Sequence, residues 1–296
     1  MELKQPLSFH QQVEMLHAHG YRVEDIDTAI ATLERISYYR LTGYALQFRK
    51  DPDNSDVWPG TEFDTVCRLC DFDARLRSFL RYYLEVVEIY YRTIIAYGFS
   101  MSKCLDAPHD QHYDRGNYYN KAGFDNIISS FSKQKDYYRD SLIVKHHSQK
   151  YNSKMSLWVV VELLSFSNLS KLYSCMYYTE KDAIADLVGV SRNTLENHLH
   201  CMSVLRNRCA HGARLYNAVL NPPVKFNSAF LRRHSDVQQN SLFAYIVILL
   251  KRLPESTARV SLIEDIHRII EEYHDVIDLS LMGFPAHYMD ILSKYK

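Results

Sequence analysis

Between Phe63 and Ile94 the chain sets an apolar residue at every third or fourth position, through Val66, Leu69, Leu76, Leu80, Leu84 and Val87. Only an α-helix gathers such residues on one face, because it turns about 100° per residue. A strand would send them to both sides. Neither glycine nor proline interrupts the run before Gly98. The spacing therefore predicts one long helix that needs apolar partners along its side.

The remaining segments supply them as further helices. Ser8 is placed to cap a short helix containing Val13, Leu16 and Ala18, which Gly20 ends. A second helix is expected from about Asp25 to Ser37, continuing or bending through "YYRLTGYALQF". The stretch "DPDNSDVWPG" has loop composition. Thr61 is the expected cap of the long helix, with Asp64 three residues on as in a capping box. Residues 100–122 read as an irregular polar connection. Helices are expected over 124–147, over the mostly buried "SLWVVVELLSFSNLSKLY" at 156–173, and over about 180–188, where Gly189 breaks the chain. Ser191 then caps a helix reaching about His211, and two more cover 241–252 and 258–275. No segment alternates with strand periodicity and no repeat is present, so the expected fold class is all-α.

Composition narrows the functional classes. Hydrophobic residues make up 47% of the 296 positions and charged residues 24%, an ordinary globular mix. Thirty-five basic side chains balance thirty-five acidic ones, so nucleic-acid binding needs a local basic patch rather than overall charge. The first residues, "MELKQPLSFHQQ", have no signal-peptide core, and the longest apolar run, "LFAYIVILL", is too short for a membrane span. A cytoplasmic protein without membrane partners is the expectation.

Six cysteines then read as reduced thiols. Cys67 and Cys70 form a CxxC and His109 and His112 an HxxH. The CxxC lies inside a helical pattern rather than on a tight turn, which disfavours zinc, and no metal or other cofactor is expected. The 23 tyrosines could stack on bases, but in a helical protein most such rings pack in cores.

"DAIADLVGVSRNTLENHL" has the outline of a helix-turn-helix that would present Arg192, Asn193 and Asn197 to a DNA groove. Its second helix does not stop, however, but continues into "VLRNRCAHGARLYN". There three arginines, two asparagines and a histidine follow an apolar stripe of Leu195, Leu199, Met202 and Leu205. Gly212 suits the left-handed C-cap position, which puts His211 in the last turn, where the helix dipole favours a protonated imidazole. Such a group suits general acid–base work, and a guanidinium suits phosphate. Asn207 shares the histidine's face, four residues away. Arg206 precedes His211 by five and points roughly 140° away on a straight helix. One helix therefore does not bring both to one atom. Either its end unwinds or two copies build a composite site, and the second option is preferred. By spacing alone a solvated helix end remains the plainer reading.

Several blocks resemble the bacterial Abi (abortive infection, AbiD/AbiF-like) family of the HEPN superfamily. They are "ISYYRLTGYALQF", "FDTVCRLCDFDARLRSFL", "VVEIYYRTIIAY", "SLWVVVELLSFSNLSKLY", "LRNRCAHGARLYN" and "LMGFPAHY", in the expected order over nearly the whole chain. The resemblance implies an HEPN-type helical bundle over 61–217 carrying the Arg-Asn-x-x-x-His signature. Residues 1–60 would be an N-terminal helical segment packing on it, and 218–296 a C-terminal helical extension. It implies a metal-independent endoribonuclease, a phage-defence effector that commonly works as a pair. Arg206 and His211 match the signature pair and Asn207 its polar second position. Arg208, Arg214 and Asn217 would contact or support RNA, and Arg92, four residues after Glu88, would support the cleft, although a Glu–Arg pair on one helix is more often an anchor. The expected partners are RNA and a second copy of the chain. A non-catalytic module that binds a structured noncoding RNA is the alternative, and a helix-turn-helix DNA regulator a more distant one.

Overall fold

The computed structural model describes residues 3, 5–51 and 53–296. The Ser8 hydroxyl accepts from the Gln11 N–H, and the Gln11 side chain accepts from the Ser8 N–H, closing a capping box that starts α1 (Phe9–Ala18). A two-residue strand β1 (Tyr21–Arg22) leads to α2 (Ile26–Arg35), capped by Asp25. The chain then breaks at Ile36, and Ser37 caps a separate α3 (Tyr38–Thr42), followed by a single-turn helix at Ala45–Phe48.

Thr61 does not cap the long helix. It lies in β2 (Thr61–Glu62), which pairs in parallel with β1, Tyr21 opposite Thr61, and its hydroxyl donates to the Trp58 carbonyl. The N-terminal helices are thereby stitched to the start of α4 (Phe63–Lys103). This helix does not stop at Gly98 either. A Cβ there would sit 2.5 Å from Ile184 Cγ1, so the glycine is spent on close approach of a neighbouring helix rather than on termination.

The polar connection after α4 holds two single-turn helices and leads to α5 (Lys121–Tyr137). The expected helix over 124–147 is two helices, because Ser141 caps a new one, α6 (Leu142–Lys150). Likewise 156–173 is broken. Leu164 is extended and Ser165 caps, dividing α7 (Leu157–Leu163) from α8 (Phe166–Cys175). Then come α9 (Tyr178–Leu187), α10 (Arg192–Ala210), α11 (Ser228–Arg233), α12 (Leu242–Arg252), α13 (Ser256–Glu272) and α14 (Tyr288–Leu292). Ser191 caps α10 as expected, and Gly189 takes a left-handed φ of 66° at the turn before it.

The fold is all-α: fourteen α-helices stand against two two-residue strands among the described residues. α10 packs against α4, α8, α9 and α12, and α4 also carries α7 and α13. Residues 242–250 of α12 are buried on every side, which marks a central helix. One cluster of buried apolar side chains extends from Val13 to Leu292. Among the described residues no helix is long and apolar enough to cross a membrane.

One buried carboxylate positions the chain after α10. Asp73 is fully buried in α4, and its Oδ1 accepts from the Leu215 and Tyr216 N–H groups at 2.9 and 2.8 Å. Its Oδ2 accepts from the Tyr44 hydroxyl at 2.7 Å and from Arg77. A buried charge is tolerated only when matched by donors and an opposite charge, and here both are present.

Candidate functional site

The signature residues sit where α10 ends. His211 is the C-cap residue, one step beyond the last turn, and its side chain is exposed. Gly212 follows with φ 66°, the left-handed geometry expected of it, and its carbonyl accepts from Arg40 Nη2 at 2.5 Å. Arg40 therefore holds the turn beside His211, a role its place in α3 did not announce.

Arg206 faces α4. Its Nε lies 3.3 Å from Glu88 Oε2, and its Nη1 donates to Asn207 Oδ1 at 3.4 Å. Asn207 in turn donates from Nδ2 to Ser167 Oγ at 2.9 Å. Asn207 thus orients Arg206 and not His211. Ser167 lies in the first turn of α8, so the break at Leu164–Ser165 supplies this partner.

The same break explains Arg92. Its Nη2 donates to Glu88 at 2.7 Å and to the freed Leu164 carbonyl at 3.1 Å, and its Nη1 to Glu162 at 3.2 Å. Arg92 is an anchor tying α4 to the α7–α8 joint. Arg81, Arg92 and Arg206 with Glu85, Glu88 and Glu162 line one cleft of about 460 Å³. Three guanidinium groups face three carboxylates there, so the cleft is charge-balanced rather than strongly electropositive.

The structure brings Arg206, Asn207 and Arg92 together but does not bring His211 onto them. No hydrogen bond joins Arg206 to His211 among the described residues. The helical angle that separated them in the sequence persists, because α10 stays regular to Ala210. Arg208 and Arg214 are occupied with the turn: Arg208 Nη2 donates to the Arg214 carbonyl at 2.7 Å, and the Arg214 guanidinium lies 6.0 Å from the Tyr44 ring centre. Asn217 is half-buried with φ 49°, a backbone conformation that asparagine tolerates.

Other candidate chemistry is weak. Burial pushes the Cys209 thiol, beside the signature, up to about 12, and does the same to Cys67, Cys70 and Cys201. None is a ready thiolate nucleophile. His109 Nδ1 and His112 Nε2 each bond a backbone carbonyl, of Cys104 and Met155, at 2.9 Å. Among the described residues no group of three or more His, Cys, Asp or Glu converges as metal ligands. The helix-turn-helix outline fares poorly too. Asn197 spends its amide on the Pro223 carbonyl and the Lys225 N–H, and Arg192 pairs with Asp182 and lies 4.6 Å from the Tyr178 ring centre. Its second helix is the packed α10, whose Leu195, His198 and Leu199 are buried.

A family model described as Abi-like protein matches residues 31–217, from within α2 to the turn held by Asp73. No curated protein and no solved structure matches the chain.

Proposed function

The chain belongs to the Abi-like protein family, and from that premise we propose that it is a metal-independent endoribonuclease of the HEPN type, an effector of abortive infection. The observation that carries the reading is Arg206, aimed into a cleft by Asn207 and Ser167 at the end of a helix whose C-cap is an exposed histidine. RNA supplies its own nucleophile, the 2′-hydroxyl next to the phosphate. His211 moves the proton, while Arg206 binds non-bridging oxygens and offsets the charge developing in the transition state. The products are a 2′,3′-cyclic phosphate and a 5′-hydroxyl. Glu88 and Glu162 are already paired with Arg92, and Glu88 with Arg206 as well, so these carboxylates act as counter-charges and not as metal ligands.

Because Arg206 and His211 diverge within one chain, the active form in this proposal is a homodimer in which the ends of two α10 helices meet. Arg208, Arg214, Asn217 and Arg92 then support the turn and cleft around the RNA. Labelled RNA incubated with the purified protein in chelator is expected to be cleaved, while DNA of the same sequence survives. Cleavage that disappears on chelation, or persists in His211→Ala, would overturn the assignment.

The Arg206–Glu88 pair favours one second reading, RNA binding without cleavage, because it leaves Arg206 with less net charge for a transition state. RNA binding by both wild type and His211→Ala, with no cleavage by either, would establish it.

A further inference from the structure

The charge-balanced cleft contains little to attract a polyanion, but a second cavity beside it does. A groove of about 570 Å³ lies between α8 and α10, closed on the α10 side by the loop around Pro222. Much of its surface is carbon, from Val204, Pro222 and the stems of longer side chains, but hydroxyl, amide and ammonium groups punctuate it. Ser167, Ser170 and Ser174 recur at helical spacing on α8, and Asn193, Asn197 and His200 do so on α10. Ser170 is largely buried, yet it lines the groove.

The charges along this groove are uneven. Lys171 on α8 and Lys225 on the closing loop are exposed, and neither ammonium makes an ion pair among the described residues. Among the described residues the one carboxylate lining the groove, Glu196, is paired with buried Lys181 at 2.9 Å. Asn197 fixes the position of Lys225 by accepting from its N–H at 2.7 Å and donating to the Pro223 carbonyl at 3.0 Å. The groove thus offers two uncompensated cations together with serine hydroxyl and asparagine amide groups. It also reaches the candidate site, because Ser167 lines it and accepts from Asn207. From Asn193 to Asn207 the α10 wall runs about 21 Å.

We propose that this groove holds the sugar–phosphate backbone of a single RNA strand leading into the Arg206 cleft. Lys171 and Lys225 take phosphates, and Ser170 and Asn193 take ribose hydroxyls. The proposal rests on the reading of the chain as an RNA-acting protein. It locates the affinity for substrate in the groove and leaves the charge-balanced cleft to the chemistry.

The test uses the full chain carrying His211→Ala, so that bound RNA survives, and reads fluorescence anisotropy of a short labelled single-stranded oligouridylate against salt. Adding Lys171→Gln with Lys225→Gln is expected to weaken binding about tenfold at low salt. The slope of log affinity against log salt should fall by roughly 1.4, for two lost phosphate contacts on a single strand. Both lysines are exposed, so an unchanged thermal melt is expected to show the fold intact. The same loss of charge at Lys50 and Lys294 should change little. Equal affinity and slope in the groove variant and this control would overturn the groove. Cleavage by the chain with His211 intact is scored separately. Cleavage alongside an unaffected groove variant removes the groove and keeps the nuclease. Binding without cleavage, lost in the groove variant, keeps the groove and removes the nuclease. No RNA binding at all overturns both.

Discussion

Arg206 and His211 stand five positions apart in the chain yet meet different surroundings, one facing a buried glutamate and the other solvent. Their chemistry is separable by substitution. His211→Ala is expected to slow RNA cleavage by about 10²–10⁴, the usual share of a proton-transfer group, with no loss of thermal stability. Arg206→Lys should also cleave poorly, since an ammonium cannot reproduce the planar fork. Both are read by single-turnover cleavage of labelled RNA. Asp73 is the contrasting residue, with a structural task only. Asp73→Ala would orphan two N–H groups and leave Arg77 without its buried counter-ion, at a cost of about 3–5 kcal/mol in denaturant unfolding. Adjacent tyrosines divide along similar lines: in α4 Tyr83 is buried and Tyr82 exposed, and in the extended chain before α5 Tyr118 is buried and Tyr119 exposed.

At the scale of elements, the joints between helices do more than the helices themselves. The interruption between α7 and α8 frees the Leu164 carbonyl for Arg92 and brings Ser167 to Asn207. The apolar content of 156–173 conceals it, and Ser165, a serviceable N-cap inside the run, was the available signal. Gly98 shows the opposite error, a residue that looks like a helix end and is a contact point. Gly98→Ala should destabilise the protein by about 1–3 kcal/mol, because the added carbon meets Ile184 at the α4–α9 crossing. The double variant with Ile184→Ala should lose less than the sum of the two single losses, as chemical denaturation of the four proteins would reveal.

Over the whole molecule, acid is the expected stress. His198 is buried in α10 and donates from Nε2 to the Lys225 carbonyl. Burial pushes its imidazole down to about 4. In the unfolded chain the same group protonates near ~6.5. Between those values the unfolded state binds more protons, so stability falls as pH drops through the window, by about 3 kcal/mol at its lower end. Burial also lowers His112, which adds in the same direction. Urea midpoints measured from pH 7 to pH 4 should decline, and His198→Gln should flatten the decline. Because Lys225 is tied to α10 by both His198 and Asn197, the acid loss is also expected to loosen the α8–α10 groove before the long helix α4 frays.

The all-α class, the long α4, the Ser191 cap and the Gly212 turn were legible in the residues, because periodicity and capping are local and act within one or two helical turns. So was the Arg206–His211 divergence, which follows from the helical angle alone. The two-residue strand pairing, the Asp73 latch, the Ser167–Asn207 bond and the Arg206–Glu88 pair were not legible. Each joins residues far apart in the chain, and its existence depends on which helices pack together. The sequence singled out the Arg206, Asn207 and His211 side chains at the end of α10; the tertiary structure determined which of them were given partners and which was left facing water.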